Sequence, residues 1–114
     1  MNFDFNEKQQ NIIKNARNYA EKYLLPNVIE RDETSTYPIE AYKKLGELGF
    51  VGLPYSSKYG GSDAGYMEYV LAVEEISKVD ASMGISYSVA TSLYGGPIAN
   101  YGTEEQKKKY LPPV

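Results

Sequence analysis

Two reactive residue types are missing from this 114-residue chain, which contains no cysteine and no histidine. Without cysteine there are no disulfides, no thiolate nucleophiles and no zinc–thiolate sites. Without histidine there is no Ser-His or Cys-His catalysis, no imidazole metal ligand and no side chain whose ordinary pKa lies near neutrality. Any proton transfer would have to use a carboxylate, a lysine or a tyrosine, and we expect no metal site.

Charge is also missing over a long stretch. Residues 81–103 include no Asp, Glu, Lys or Arg, whereas Glu104–Lys109 carries five charges in six residues. The uncharged stretch mixes apolar residues with hydroxyls, glycines and a proline, so it could face solvent, lipid, the protein interior or a bound ligand. A membrane span is excluded, because a span needs ~20 mostly apolar residues and here serines, glycines, Pro97 and Asn100 interrupt them.

The overall charge is mildly acidic, with a formal net charge of -3. Phosphate recognition needs concentrated Lys and Arg, and the one basic cluster, Lys107–Lys109, follows two glutamates, so we expect no nucleic-acid partner. The first ten residues lack the basic and apolar regions of a secretory signal. These features predict a cytoplasmic protein of one domain, with 42% hydrophobic residues to form its core.

Helical signals follow one another along the chain. Asn6 with Gln9 has the form of an N-terminal cap, and apolar residues then recur at helical spacing up to Leu24. Further helices are predicted from Pro38 to Gly49, from Tyr66 to Val79, from Ser82 to Tyr94, and from a capping box at Thr103 to a stop at Pro112 and Pro113. No alternating strand pattern is present. The fold class is therefore all-α, a bundle of about four main helices plus short helices.

Several residues within this pattern carry specific expectations. Gly46, inside the second helix, predicts the close approach of another backbone, and the sequence Gly95-Gly96-Pro97 predicts a break after the fourth helix. Asp63 is a candidate cap for the third helix. This third helix is apolar almost all round, so we expect it to be central.

Two arrangements could carry chemistry. The pair Gly60-Gly61 lacks the further spaced glycine and the Gly-Lys-Ser/Thr tail of a phosphate loop, so a plain turn is the better interpretation. The neighbours Glu74 and Glu75 could form an acid–base pair, but we expect both to face water, with Glu74 in a surface ion pair with Lys78. In the uncharged stretch, hydroxyl and apolar residues are compatible with a core or domain-interface helix and equally with a pocket wall for a mostly apolar ligand.

Several motifs, in their order and spacing, resemble the N-terminal domain of acyl-CoA dehydrogenases. They are the YGG loop at 59–61, the VEEI helix at 73–76, the SLY-GPI stretch at 92–98 and the capped EEQKKKYLP helix at 104–112. The resemblance covers essentially the whole chain and is greatest with short-chain, butyryl-type enzymes. It implies that residues 1–114 form the first of three domains, without the central β domain and the C-terminal helical domain of that family.

The resemblance implies FAD-dependent introduction of an α,β double bond into an acyl-CoA thioester. In that family a glutamate removes the α-proton, a hydride passes to the flavin, and electron-transferring flavoprotein accepts the electrons. The glutamate and most flavin contacts belong to the other domains, and the intact enzymes are homo-oligomers, with a tetramer expected here. The 114-residue chain alone is therefore expected to have no catalytic or cofactor-binding residue, to bind no FAD and to be inactive.

The role that the resemblance assigns to this domain is to line the inner end of the acyl cavity with the helix at 83–94. The candidate pocket residues are Ser86, Tyr87, Ala90, Leu93 and Tyr94. Lys58 before the YGG loop and Gly95-Gly96 before Pro97 depart from the family pattern, and we expect them to alter surface charge and the shape of the cavity floor. The alternatives are a free-standing helical interaction module without catalysis, and a domain of a related acyl-CoA oxidase or branched-chain dehydrogenase.

Overall fold

The computed structural model describes residues 4–111, and within that range it contains no β-strand. The α-helices are α1 (Glu7–Tyr19), α2 (Val28–Thr34), α3 (Ile39–Glu47), α4 (Tyr66–Val79), α5 (Ala81–Ser88), α6 (Gly96–Tyr101) and α7 (Glu104–Tyr110). Two π-helical segments, π1 (Ala20–Leu24) and π2 (Val89–Gly95), continue α1 and α5, and a 3-10 turn spans Ser57–Tyr59. The all-α prediction is confirmed. The predicted stop at Pro112 and Pro113 lies outside the described residues.

Both predicted capping boxes are present. The Asn6 side chain accepts from the Gln9 N–H at 2.8 Å, and the Gln9 side chain accepts from the Asn6 N–H at 3.1 Å. Thr103 and Gln106 make the same reciprocal pair at the start of α7, at 3.2 and 2.9 Å. Because the first N–H groups of a helix have no partner within it, these side chains determine where α1 and α7 begin.

Helix α4 is central, as its composition predicts. It packs against α1 and π1 and also against α5, and Tyr69, Ala72 and Ile76 join the main hydrophobic core. Helix α5 approaches so closely that a Cβ on Gly84 would clash with the Ser77 side chain of α4. The domain is flat, with extents of 42 × 38 × 20 Å, so a central helix has protein neighbours on some sides and solvent on others.

The expectation that Glu75 faces water was wrong. Its side chain is only 8% exposed, and it lies 3.2 Å from Arg17 Nε and 2.9 Å from Lys78 Nζ. Lys78 therefore pairs with Glu75 rather than with Glu74, which is exposed. Burial by itself would raise the pKa of Glu75, but the hydrogen bonds and positive charges of Arg17 and Lys78 outweigh burial and hold that pKa below its ordinary value.

Two other local expectations, the close backbone approach at Gly46 and the helix cap at Asp63, were wrong. Apart from its own helix, no heavy atom lies within 4 Å of the position that a Cβ on Gly46 would occupy, so no other backbone segment approaches it. Asp63 does not cap α4. Its carboxylate accepts from the Ser57 N–H at 3.1 Å, and Gly65 precedes α4 without a side-chain cap.

The predicted break at Gly95-Gly96-Pro97 was also wrong. Segment π2 runs directly into α6, and the Gly96 N–H bonds to the Thr91 carbonyl across the widened π turn. Pro97 falls in the first turn of α6, where a helix tolerates the missing N–H. The helical path is therefore continuous from Ala81 to Tyr101.

We expect Gly84→Ala to destabilise the domain by about 1–2 kcal/mol, because overpacking against Ser77 outweighs the better helix propensity of alanine. Gly46→Ala is the matched control. Its site is open, so it should gain up to about 1 kcal/mol. Urea unfolding of both variants measures the difference, and equal stabilities would contradict the close α4–α5 contact.

We expect Glu75→Gln to lower the free energy of unfolding at pH 7 by about 1 kcal/mol, since both cationic partners stay partly solvated. A carboxylate with a depressed native pKa stabilises the fold above its unfolded-state pKa of about 4.3 and loses that contribution as the pH falls through the native pKa. The difference from the unaltered chain should therefore shrink at about pH 3. Glu74→Gln, at the exposed neighbour, should change little at either pH, and a pH-independent effect of Glu75→Gln would contradict the pairing.

Candidate functional site

The helix formed by α5 and π2 has an inner side that belongs to the core. Tyr87, Met83 and Thr91 on this side are fully buried. The Tyr87 ring packs edge-on against Tyr69 of α4, with 5.3 Å between ring centroids. One side of α5 and π2 therefore faces the domain's own interior, which accounts for the lack of charge on that side.

The hydroxyls of this inner side bind the irregular segment 50–55. The Tyr87 hydroxyl donates to the Phe50 carbonyl at 2.6 Å, and Thr91 Oγ1 donates to the Val51 carbonyl at 2.8 Å. In return, the Tyr55 hydroxyl donates to the Thr91 carbonyl. Segment 50–55 is neither α-helix nor strand. These bonds give its carbonyls partners from outside the segment, in the case of Phe50 in addition to the Leu53 N–H at 3.2 Å.

Burial raises the pKa of Tyr87 and of Tyr55 far above the ordinary value for tyrosine. Both hydroxyls therefore stay protonated and act as hydrogen-bond donors at physiological pH. Neither tyrosine can serve as a general base near neutrality, so the chemistry of the inner side is structural.

The opposite side is apolar and open, and it extends onto α4. We call it the outer face, and its exposed residues are Tyr66, Met67 and Val70 of α4, Ile85 of α5, and Val89 and Leu93 of π2. The two helices run antiparallel, since Ser77 meets Gly84 and the Tyr69 hydroxyl donates to the Ser88 carbonyl at 3.2 Å. Large apolar surfaces of this kind mark a partner or ligand.

The five predicted pocket residues differ in exposure. Ser86 and Ala90 are half-buried, and Leu93 is 69% exposed. Tyr94 is exposed, and its hydroxyl reaches the Tyr110 carbonyl of α7 at 3.2 Å. Tyr87 has no exposed surface, so it can only support a wall from behind. Their role as pocket residues stays a prediction.

Sequence reasoning missed the α4 part of the outer face. A helix that is apolar almost all round predicts that Tyr66, Met67 and Val70 are buried, whereas all three are exposed. The length of the chain could have indicated this exposure, because so short a chain has too few other helices to surround an apolar helix on every side.

The loop around Gly60-Gly61 is a closed turn, as predicted. The N–H groups of these two glycines donate to the carbonyls of Ser57 and Ser56, so neither is free for a phosphate. Lys58 does more than alter surface charge, because its Nζ lies 2.9 Å from Glu104 and joins this loop to α7. The hydroxyl of Tyr59 donates to the same carboxylate.

The described part of the chain offers no metal site and no membrane span. No group of three or more Asp or Glu side chains there is arranged to hold a cation. No helix within residues 4–111 is both long and apolar enough to cross a bilayer. The outer face is left as the strongest candidate for function.

Comparison with known proteins gives one consistent result. A family model for the N-terminal domain of acyl-CoA dehydrogenases matches residues 6–114. The short-chain specific acyl-CoA dehydrogenase of Clostridium acetobutylicum is 41% identical over 114 residues, which is 100% of this chain and 30% of the relative.

Solved structures agree. The butyryl-CoA dehydrogenase of Megasphaera elsdenii superposes with a TM-score of 0.93 at 42% identity, covering 99% of this chain and 30% of that one. A chain from a study of the electron transferring flavoprotein of Acidaminococcus fermentans and flavin-based electron bifurcation gives a TM-score of 0.97 at 46% identity, covering 100% and 30%. The present chain thus spans 30% of the length of these relatives.

We expect Tyr87→Phe to destabilise the domain by about 1 kcal/mol, because the Phe50 carbonyl loses the bond from the Tyr87 hydroxyl and keeps only the one from the Leu53 N–H. Tyr94→Phe is the matched control, since it removes an exposed hydroxyl and should change stability by less than about 0.5 kcal/mol. Thermal or urea unfolding measures both. Equal effects would show that the inner hydroxyl bonds do not hold segment 50–55.

Proposed function

Since the chain belongs to the acyl-CoA dehydrogenase family, we propose that residues 1–114 form the N-terminal helical domain of an FAD-dependent enzyme that introduces an α,β double bond into a short-chain acyl-CoA. The observation that carries this proposal is the outer face, an uncharged apolar surface left open in a chain that matches the first domain of that family. Relatives named as short-chain and butyryl-CoA enzymes support the substrate class.

Two sets of residues have a role in this proposal. Ser86, Ala90, Leu93 and Tyr94 line the inner end of the acyl pocket, and Tyr87 sets the position of that wall from behind. The exposed residues of α4 pack against the remaining domains. Apolar walls with few polar groups suit an acyl chain, and they exclude water from the reacting carbons.

FAD does not fit the described residues by themselves. The uncharged stretch offers no cation for a diphosphate, and the glycine turn at 60–61 has its N–H groups bonded internally. When bound in the complete enzyme, FAD supplies the hydride acceptor. The base that removes the α-proton is also expected outside this chain, because the family resemblance assigns that glutamate to the C-terminal domain.

Two partners follow from the proposal. Electron-transferring flavoprotein is the expected electron acceptor, supported by the relative from the Acidaminococcus fermentans study. The complete enzyme is expected to be a homo-oligomer, with a tetramer as the family pattern. Both are properties of the whole protein rather than of this domain.

The test is a chimera in which this chain replaces the matching N-terminal region of the Megasphaera elsdenii butyryl-CoA dehydrogenase. The chimera should bind flavin, and butyryl-CoA should bleach the flavin absorbance. A chimera that holds flavin but responds to no acyl-CoA, or one that fails to assemble, would contradict the proposal and favour a free-standing helical module. The isolated 114-residue chain should show no flavin absorbance.

In the chimera we expect Ala90→Phe to shorten the pocket. The ratio of kcat/KM for hexanoyl-CoA to that for butyryl-CoA should fall about tenfold or more, because a wall residue discriminates by chain length. Ala99→Phe, on α6, is the matched control and should leave the ratio within about twofold. If Ala90→Phe keeps its full flavin content and its ratio of kcat/KM values is unchanged, α5 and π2 do not form the pocket wall.

A further inference from the structure

Arg31, in the last turn of α2, binds two backbone carbonyls at the end of π1 and just after it, and one carboxylate at the start of α5. Its Nη1 donates to the Pro26 carbonyl at 2.9 Å, and its Nη2 donates to the Leu24 carbonyl at 2.7 Å and to the Asp80 carboxylate at 3.0 Å. The Arg31 and Asp80 side chains are 14% and 10% exposed, so both members of this ion pair are shielded from water.

Asp80 uses its two carboxylate oxygens for two tasks. One oxygen accepts from Arg31, and the other accepts from the Met83 N–H at 3.2 Å and so caps the start of α5. The first turn of α5 is therefore tied, through one side chain, to α2 and to the end of π1.

A contribution to stability alone does not explain the contacts between Arg31 and Asp80. Arg31 Nε is buried without a hydrogen-bond partner, which is costly. Helix α2 contributes no buried residue, and left-handed residues flank it, with φ of 65° at Asn27 and 56° at Ser35. A shielded ion pair is weak evidence for stability but can specify one geometry among several.

We propose that Arg31 and Asp80 are positioning residues for the acyl wall, an inference that rests on the proposed function. Asp80 caps the start of α5, and Ser86 and Ala90 follow on the same helical path, so loss of the cap would let the first turn fray and the wall residues after it move. Asp80 holds the first turn of α5 in place, and the planar guanidinium of Arg31 holds the Asp80 carboxylate.

The experiment uses the chimera with three variants. Asp80→Ala removes both the cap and the ion pair, Asp80→Asn keeps a capping oxygen without the charge, and Arg31→Lys keeps the charge without the fork. Each is assayed for flavin content, melting temperature and the hexanoyl-CoA to butyryl-CoA ratio of kcat/KM. We expect the ratio to change about fivefold or more in Asp80→Ala, with smaller shifts in the same direction in Asp80→Asn and Arg31→Lys.

Glu75→Gln is the control, because it removes an ion pair of α4 that does not touch α5. It should lower the melting temperature without moving the ratio. If Asp80→Ala and Arg31→Lys likewise lower the melting temperature and leave the ratio within about twofold, the residues are purely structural and the inference is overturned. In that case, a change of the ratio in Ala90→Phe would still support the proposed pocket wall, so the two proposals can fail separately.

Discussion

The hydroxyl-to-carbonyl bonds between the uncharged helix and segment 50–55 are the constraint on which the rest of the structure depends. A backbone segment without regular structure must find partners for its buried carbonyls, and Tyr87 and Thr91 provide them. Because these residues face inward, the rotation of α5 and π2 about their axis is fixed. That rotation leaves Ile85, Val89 and Leu93 exposed, so the outer face is a consequence of the inner bonds.

Features that depend on neighbouring residues could be predicted from the sequence. The bounds of α4 agree with the predicted Tyr66–Val79, and the two capping boxes at Asn6 and Thr103 are present. Gly49 adopts the left-handed conformation, with φ of 87°, that ends α3. In each case the signal lies within one or two turns of the residue it determines, so periodicity and capping chemistry are sufficient.

Features that depend on distant residues could not be predicted in this way. Periodicity places Glu74 and Glu75 on different sides of α4 but does not say which side α1 covers, and Arg17 stands 58 residues before Glu75. The break expected at Gly95-Gly96-Pro97 failed for a related reason. A Cβ on Gly95 would clash with the Tyr55 ring and hydroxyl, so this glycine is explained by a long-range contact rather than by a turn.

The exposed side of α4 follows from the shape of the domain. A helix that is apolar almost all round needs cover on every side, yet a body only 20 Å thick provides neighbours on some sides alone. The exposed apolar residues of α4 adjoin those of α5 and π2. Since α5 and π2 carry no charged side chain, little on this surface interacts favourably with water. We propose that its cover comes from outside residues 4–111. The chain matches 30% of the length of its relatives, and in the proposed function the rest of the enzyme provides this cover and encloses the acyl chain against it.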